Sequence, residues 1–169
     1  MRTNRRFASV IAACLAPALL AGCGAHKGGA AAGPPGVVKA GTTIRITLTA
    51  SADCNNCGTG PGAALKYRVL QVADEGAMRT ALNKGLPWSK QVEAAGANVV
   101  ARVAEDFVNP GKSVEVPTTR DPKAAAIVIE GNFCKKVGAS WYVVYPLTKK
   151  GPIVVNVGAT GMTLAPSGK

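Results

Sequence analysis

The chain has 169 residues, with 20 Lys or Arg against 9 Asp or Glu, a formal net charge of +11 and one histidine. That length suits one domain with a single core. The lone His26 falls in a tract of Gly, Ala and Pro, which leaves no base for the usual Ser–His or Cys–His nucleophile arrangements.

Arg2, Arg5 and Arg6 precede Phe7 to Leu20, a run of 14 residues almost free of polar groups. A bilayer core of roughly 30 Å needs about 20 helical residues, so this run reads as a cleaved export signal and not as an anchor helix. Leu20-Ala21-Gly22-Cys23 then resembles the bacterial lipobox, in which the thiol receives lipid and the chain is cut before the cysteine. Residues 1–22 are the expected signal and Cys23 the lipidated mature N-terminus, its covalent lipid (palmitate among the acyl chains) standing in place of any cofactor. The competing reading is an ordinary signal ending at Ala21 or Gly22. Without the three arginines the mature chain has 17 basic and 9 acidic side chains, a balance of +8. Such a charge favours anionic lipid, cell wall or an acidic partner, although pairs such as Lys135-Lys136 and Lys149-Lys150 read more simply as charge that keeps an exposed surface soluble; export argues against nucleic acid. Gly24, directly after Cys23, is not the aspartate that often retains lipoproteins at the inner membrane, so the expected location is the periplasmic face of the outer membrane.

From Gly24 to Thr42 the sequence holds six Gly, five Ala and Pro34-Pro35, with no periodic apolar face. Residues 23–42 therefore read as a lipidated cysteine and a flexible tether, and 43–169 as the folded domain.

The domain opens on alternation. In TIRITLTAS, Ile44, Ile46, Leu48 and Ala50 share one face and Arg45, Thr47, Thr49 and Ser51 the other, as in a half-buried strand. AALKYRVLQVA (63–73) gives a second strand, with Leu65, Tyr67 and Val69 opposite Lys66 and Arg68. Asp74 then caps a short helix carrying Met78 and Leu82, which Gly85 ends. Ser89 to Ala95, closed by Gly96, forms another that sets Trp88 and Val92 against the first. AEDFVNPGKSVEV reads as two strands joined by a turn at Asn109-Pro110-Gly111. AAIVIEGNF (125–133), SWYVVYPL (140–147), GPIVVNV (151–157) and ATGMTLA (159–165) follow at short intervals. The expected fold is mainly β, an antiparallel two-sheet sandwich with a small helical insertion at about 74–96. Phe107, Phe133, Trp141 and Tyr145 fall on the inward phase of their strands, and Tyr142 on the outward one.

Cys14 leaves with the signal and Cys23 carries lipid, so Cys54, Cys57 and Cys134 remain in an oxidising compartment. Three pairings are open. A bond from Cys134 to Cys54 or Cys57 closes about 80 residues and is worth roughly 4.5 kcal/mol in the chain-entropy model, against about 2 for Cys54–Cys57. A redox centre at Cys-Asn-Asn-Cys lacks the following helix, and three sulfurs lack a fourth zinc ligand. Asp53, Glu105, Asp106 and Glu130 read as solvated carboxylates, and Gly58-Thr59-Gly60 lacks the lysine and helix of a phosphate loop. These patterns argue against catalysis and against a metal site.

Lipobox, small-residue tether, IRITLTASAD, YRVLQV, a helical insert, FVNPG, AAIVIEGNF and SWYVVYPL, in that order, resemble the type VI secretion outer-membrane lipoprotein family, TssJ. The resemblance implies a transthyretin-like sandwich. It also implies a role in tethering the secretion membrane complex to the outer membrane, by binding the periplasmic carboxy-terminal domain of the inner-membrane protein TssM. The partner-binding loop of the family maps onto Asp53 to Gly62, that is Asp53, Asn55, Asn56, Gly58, Thr59, Gly60, Pro61 and Gly62, with Cys54 and Cys57 as departures inside it. The alternative function is a stand-alone β-lipoprotein that binds a ligand or inhibits a lytic enzyme.

Overall fold

A computed structural model describes residues 38–58 and 60–166. The signal, Cys23, His26, the tether up to residue 37 and Thr59 lie outside them. The elements are β1 (Thr43–Ala50), β2 (Leu65–Val72), α1 (Glu75–Leu82), α2 (Trp88–Ala95), a 3-10 turn (Gly96–Asn98), β3 (Val99–Val108), β4 (Ser113–Thr119), β5 (Ala126–Gly131), β6 (Tyr142–Pro146), β7 (Ile153–Val157) and β8 (Met162–Leu164).

The strands form two four-stranded sheets, ordered β4-β1-β7-β8 and β3-β2-β5-β6. The expected sandwich with a helical insertion is what forms. All pairings are antiparallel except β1 with β7, which run parallel from Ile46 opposite Ile153 to Ala50 opposite Val157. The turn at Asn109 is present, Lys112 N–H donating to the Asn109 carbonyl at 3.1 Å. Yet β3 pairs with β2 and β4 with β1, so the turn crosses between the sheets.

In β1 the alternation becomes burial: Ile44, Ile46, Leu48 and Ala50 are buried between the sheets. Each such aliphatic side chain contributes about 1.5–3 kcal/mol by leaving water. Asp74 caps α1, its carboxylate accepting from the Ala77 N–H at 2.8 Å. The helix buries Met78 and Leu82, and α2 buries Val92, both as expected; α1 stops at Leu82, ahead of Gly85.

Every residue of β5, and all of β2 but Lys66, is buried, because the helices cover the outer face of their sheet. This corrects three expectations. Glu130 is fully buried, not solvated, and Arg68 opposite it is buried too. Tyr142 is on the outward phase, yet it is buried under α1, its hydroxyl donating to Asn83 Oδ1 at 3.3 Å. Phe107 is not core: it pairs with Lys66 on the outer face and is 55% exposed. Phe133, Trp141 and Tyr145 are buried as expected.

Arg68 organises this covered face. It donates to Glu130, lies 3.4 Å from Gln91 Oε1, and its guanidinium stacks 4.2 Å from the Trp88 ring centre. Glu105 approaches it at 3.9 Å while pairing with Lys66 at 2.6 Å. Both ends of the pair are incompletely satisfied, since Glu130 Oε1 and Arg68 Nε have no hydrogen-bond partner among the described residues. Burial pushes the Glu130 carboxyl above its ordinary range, against the pull of Arg68 and Lys136.

Candidate functional site

Strand direction sorts the connections to two ends. One end gathers the β1–β2 loop, the Asn109 turn, the β5–β6 connection and the β7–β8 turn; the other receives the chain from the tether. The first end carries the loop from Asp53 to Gly62, and its sequence explains its shape.

Asn55 is the pivot. Its φ is +50°, a left-handed conformation that asparagine tolerates better than most residues. Bent this way, its side chain turns inward and is buried: Nδ2 donates to the Ala64 carbonyl at 3.0 Å, and Oδ1 accepts from the Cys134 N–H at 3.0 Å. The backbone N–H groups of Asn55 and Asn56 donate to the carbonyls of Gly158 and Ala159, at 3.2 and 2.9 Å, and Gly111 N–H donates to Ser51 at 3.1 Å. The loop is thus bonded to all three neighbouring connections.

A covalent tie adds to these. Cys57 and Cys134 form a disulfide across 77 residues, their Cα atoms 5.5 Å apart, and Cys54 is a free, buried thiol. Of the open pairings the long bridge forms, from the second cysteine of the loop. Burial, and to a lesser degree Asp53, pushes the Cys54 thiol up, so it is a poor nucleophile. The Cys-Asn-Asn-Cys pair is therefore not a dithiol centre.

Gly62 closes the loop. A Cβ there would fall 2.5 Å from the Ala52 carbonyl oxygen and 2.8 Å from that of Cys54, and the Ala63 N–H donates to the latter carbonyl at 2.8 Å. Between these fixed ends the tip is held by Asn56, which accepts from the Gly58 N–H at 2.9 Å and donates to the Gly60 carbonyl at 3.1 Å. Asp53 is exposed and accepts from Ser51 Oγ at 2.5 Å. Of the residues assigned to the loop surface, Asp53, Gly58, Gly60 and Pro61 are exposed, Asn56 and Gly62 half-buried, and Asn55 buried. Asn55 therefore positions the loop and does not present a surface.

Two apolar side chains stand exposed at the same end, Phe107, which its strand phase suggested was core, and Val137, which the sequence singles out in no way. Phe107 and Val137 are 55% and 53% exposed, at the end of β3 and in the β5–β6 connection. Phe107 shares the strand phase of Glu105, and that pattern could have placed it outside. A stiff polar loop flanked by exposed apolar side chains has the make-up of a protein-docking surface.

Residues 42–162 match the family described as type VI secretion lipoprotein, VasD, EvfM, TssJ, VC_A0113. The chain belongs to this family. Members' structures share its fold. Lip of Serratia marcescens, a membrane-bound component of the type VI secretion system, superposes with a TM-score of 0.63 at 13% identity, covering 73% of this chain and 97% of that one. The lipoprotein TssJ1 of Pseudomonas aeruginosa gives 0.58 at 17%, covering 75% and 98%. A chain in a structure described as the TssM C-terminal domain from EAEC gives 0.62 at 19%, covering 73% and 98%. No curated protein sequence matches the chain. At these identities the superpositions establish the shared sandwich fold and nothing finer.

Proposed function

We propose that this type VI secretion lipoprotein is the non-enzymatic outer-membrane anchor of its secretion complex. Cys23 carries the lipid. The loop end, Asp53 to Gly62 with Phe107 and Val137 beside it, binds the periplasmic carboxy-terminal domain of a TssM-like inner-membrane protein.

The observation that carries this reading is the placement of the two ends. The chain enters from the tether at Val38, whose N–H donates to the Leu147 carbonyl at 3.0 Å, while the disulfide-pinned loop lies at the opposite end of the strands. A domain held by lipid through 15 residues, at most about 50 Å of chain, is free to turn that loop away from its membrane. Pinning by Asn55 and the disulfide lowers the ordering cost of binding, the usual route by which a rigid loop gains affinity.

Two measurements test it. Metabolic lipid labelling with membrane fractionation should place wild type in the membrane and release Cys23→Ser as an unlabelled periplasmic protein; a labelled Ser variant refutes the anchor. Calorimetric titration with the TssM-like periplasmic domain should show saturable binding, and its absence favours the ligand-binder or inhibitor reading instead.

A further inference from the structure

At the tether end the two sheets do not close on each other. Between β1 and β7 of one sheet and β6 of the other lies a groove of about 700 Å³, the size of a ligand site. Its floor is the buried side chains of Ile44, Tyr145, Leu147 and Ile153, and its rim carries Lys39, Arg45, Lys149 and Lys150. Arg45 pairs with Glu115 at 3.3 Å, whereas the three lysines have no ionic partner among the described residues.

The groove is therefore apolar below and cationic above. That order matches an amphiphile with an anionic head. The groove also opens beside Val38, 15 residues after Cys23, on the side from which a lipid-anchored chain arrives.

We propose that this mouth binds an anionic phospholipid of the membrane holding Cys23, with the phosphate between Lys39, Lys149 and Lys150 and the first acyl carbons on Ile44, Leu147 and Ile153. The site rests on the anchor reading for its neighbouring membrane. It gives the domain a second, orienting contact with that membrane, leaving the loop end pointed outward.

The test uses the Cys23→Ser protein, which has no lipid of its own, titrated with monomeric dihexanoyl-phosphatidylglycerol while amide resonances are followed. Dihexanoyl-phosphatidylcholine and inorganic phosphate serve as comparison ligands. Saturable shifts are expected at Val38, Tyr145, Leu147 and Ile153 with the glycerol lipid. Each lysine near an anionic surface is worth about fivefold in affinity, so Lys149→Glu with Lys150→Glu should weaken binding by about 25-fold or more. Lys84→Glu with Lys112→Glu makes the same change in net charge away from the groove and should leave affinity intact. Equal weakening by both lysine pairs would reduce the effect to diffuse electrostatics. Identical shifts with phosphate alone would reduce it to a simple anion site, and absence of saturable shifts would remove it; each result overturns the proposal. None of these bears on the anchor, which is read separately from labelling of Cys23.

Discussion

The backbone N–H of Cys134 donates to the side-chain oxygen of Asn55 at 3.0 Å, joining residues 79 apart in sequence, and Cys134 is also the far end of the disulfide from Cys57. The β1–β2 loop is thus fixed to the β5–β6 connection twice within three residues of its own chain. One tie is covalent and one depends on a buried side chain in a left-handed backbone, and the two make separable predictions.

Asn55→Ala removes both side-chain hydrogen bonds, leaves the Cys134 N–H and the Ala64 carbonyl without their partner, and keeps a β-carbon at φ +50° without the polar side chain that eases that conformation. The expected loss is about 2–4 kcal/mol. Asn55→Gly loses the same bonds without the backbone strain and should be less destabilised by about 1 kcal/mol. Urea unfolding of the two variants beside wild type measures the difference, and equal losses would refute the backbone part.

For the disulfide, peptide mapping of unreduced protein should recover a crosslink between fragments containing Cys57 and Cys134. Cys54 should resist alkylation until the protein unfolds, being buried with a raised thiol pKa. Cys57→Ser with Cys134→Ser should cost about 4.5 kcal/mol, the chain-entropy value for a loop of this length. A loss under about 1 kcal/mol would mean the unbridged chain keeps its loop together by other contacts.

How much of this was legible beforehand follows from the range of each interaction. Strand alternation and the Asp74 cap are local, so the sandwich, the insertion and the inward set Ile44, Ile46 and Leu48 could be read directly. The choice between Cys54 and Cys57 could not, because both close nearly the same loop with Cys134; the left-handed turn at Asn55, between them, sends one sulfur into the core and the other outward. Arg68, Glu130 and Tyr142 were misread for one shared reason. They lie on the outward strand phase, and an alternation pattern cannot show that an insertion folds back over it. Beyond the reach of that cover, Phe107 on the same face stays exposed.

The covered charges set a pH dependence. Burial raises the folded pKa of Glu130, so its contribution to stability is fully present below the unfolded value of about 4.3 and is lost as pH rises through the folded one. Glu130→Gln keeps the shape and removes the titration. The stability of wild type minus that of this variant should fall as pH rises from about 4.3 toward neutrality, measured by urea unfolding across that range. A difference that rises would show that Arg68 outweighs desolvation. Glu105 runs the other way: its bond to Lys66 lowers its pKa, so its contribution is lost as pH falls, and its exposure limits the effect to about 0.3 kcal/mol.

The central claim is that the loop end is the partner surface, and Gly58 and Gly60 allow a direct test. A Cβ at either position meets nothing within 4 Å, so Gly58→Arg with Gly60→Arg adds bulk and charge at the exposed tip of the loop. The measurement is the affinity of this double variant for the TssM-like periplasmic domain by calorimetry, with thermal unfolding recorded on the same samples. The account predicts a wild-type melting temperature and an affinity at least about tenfold weaker, equivalent to about 1.4 kcal/mol. A folded variant that binds as tightly as wild type would contradict it.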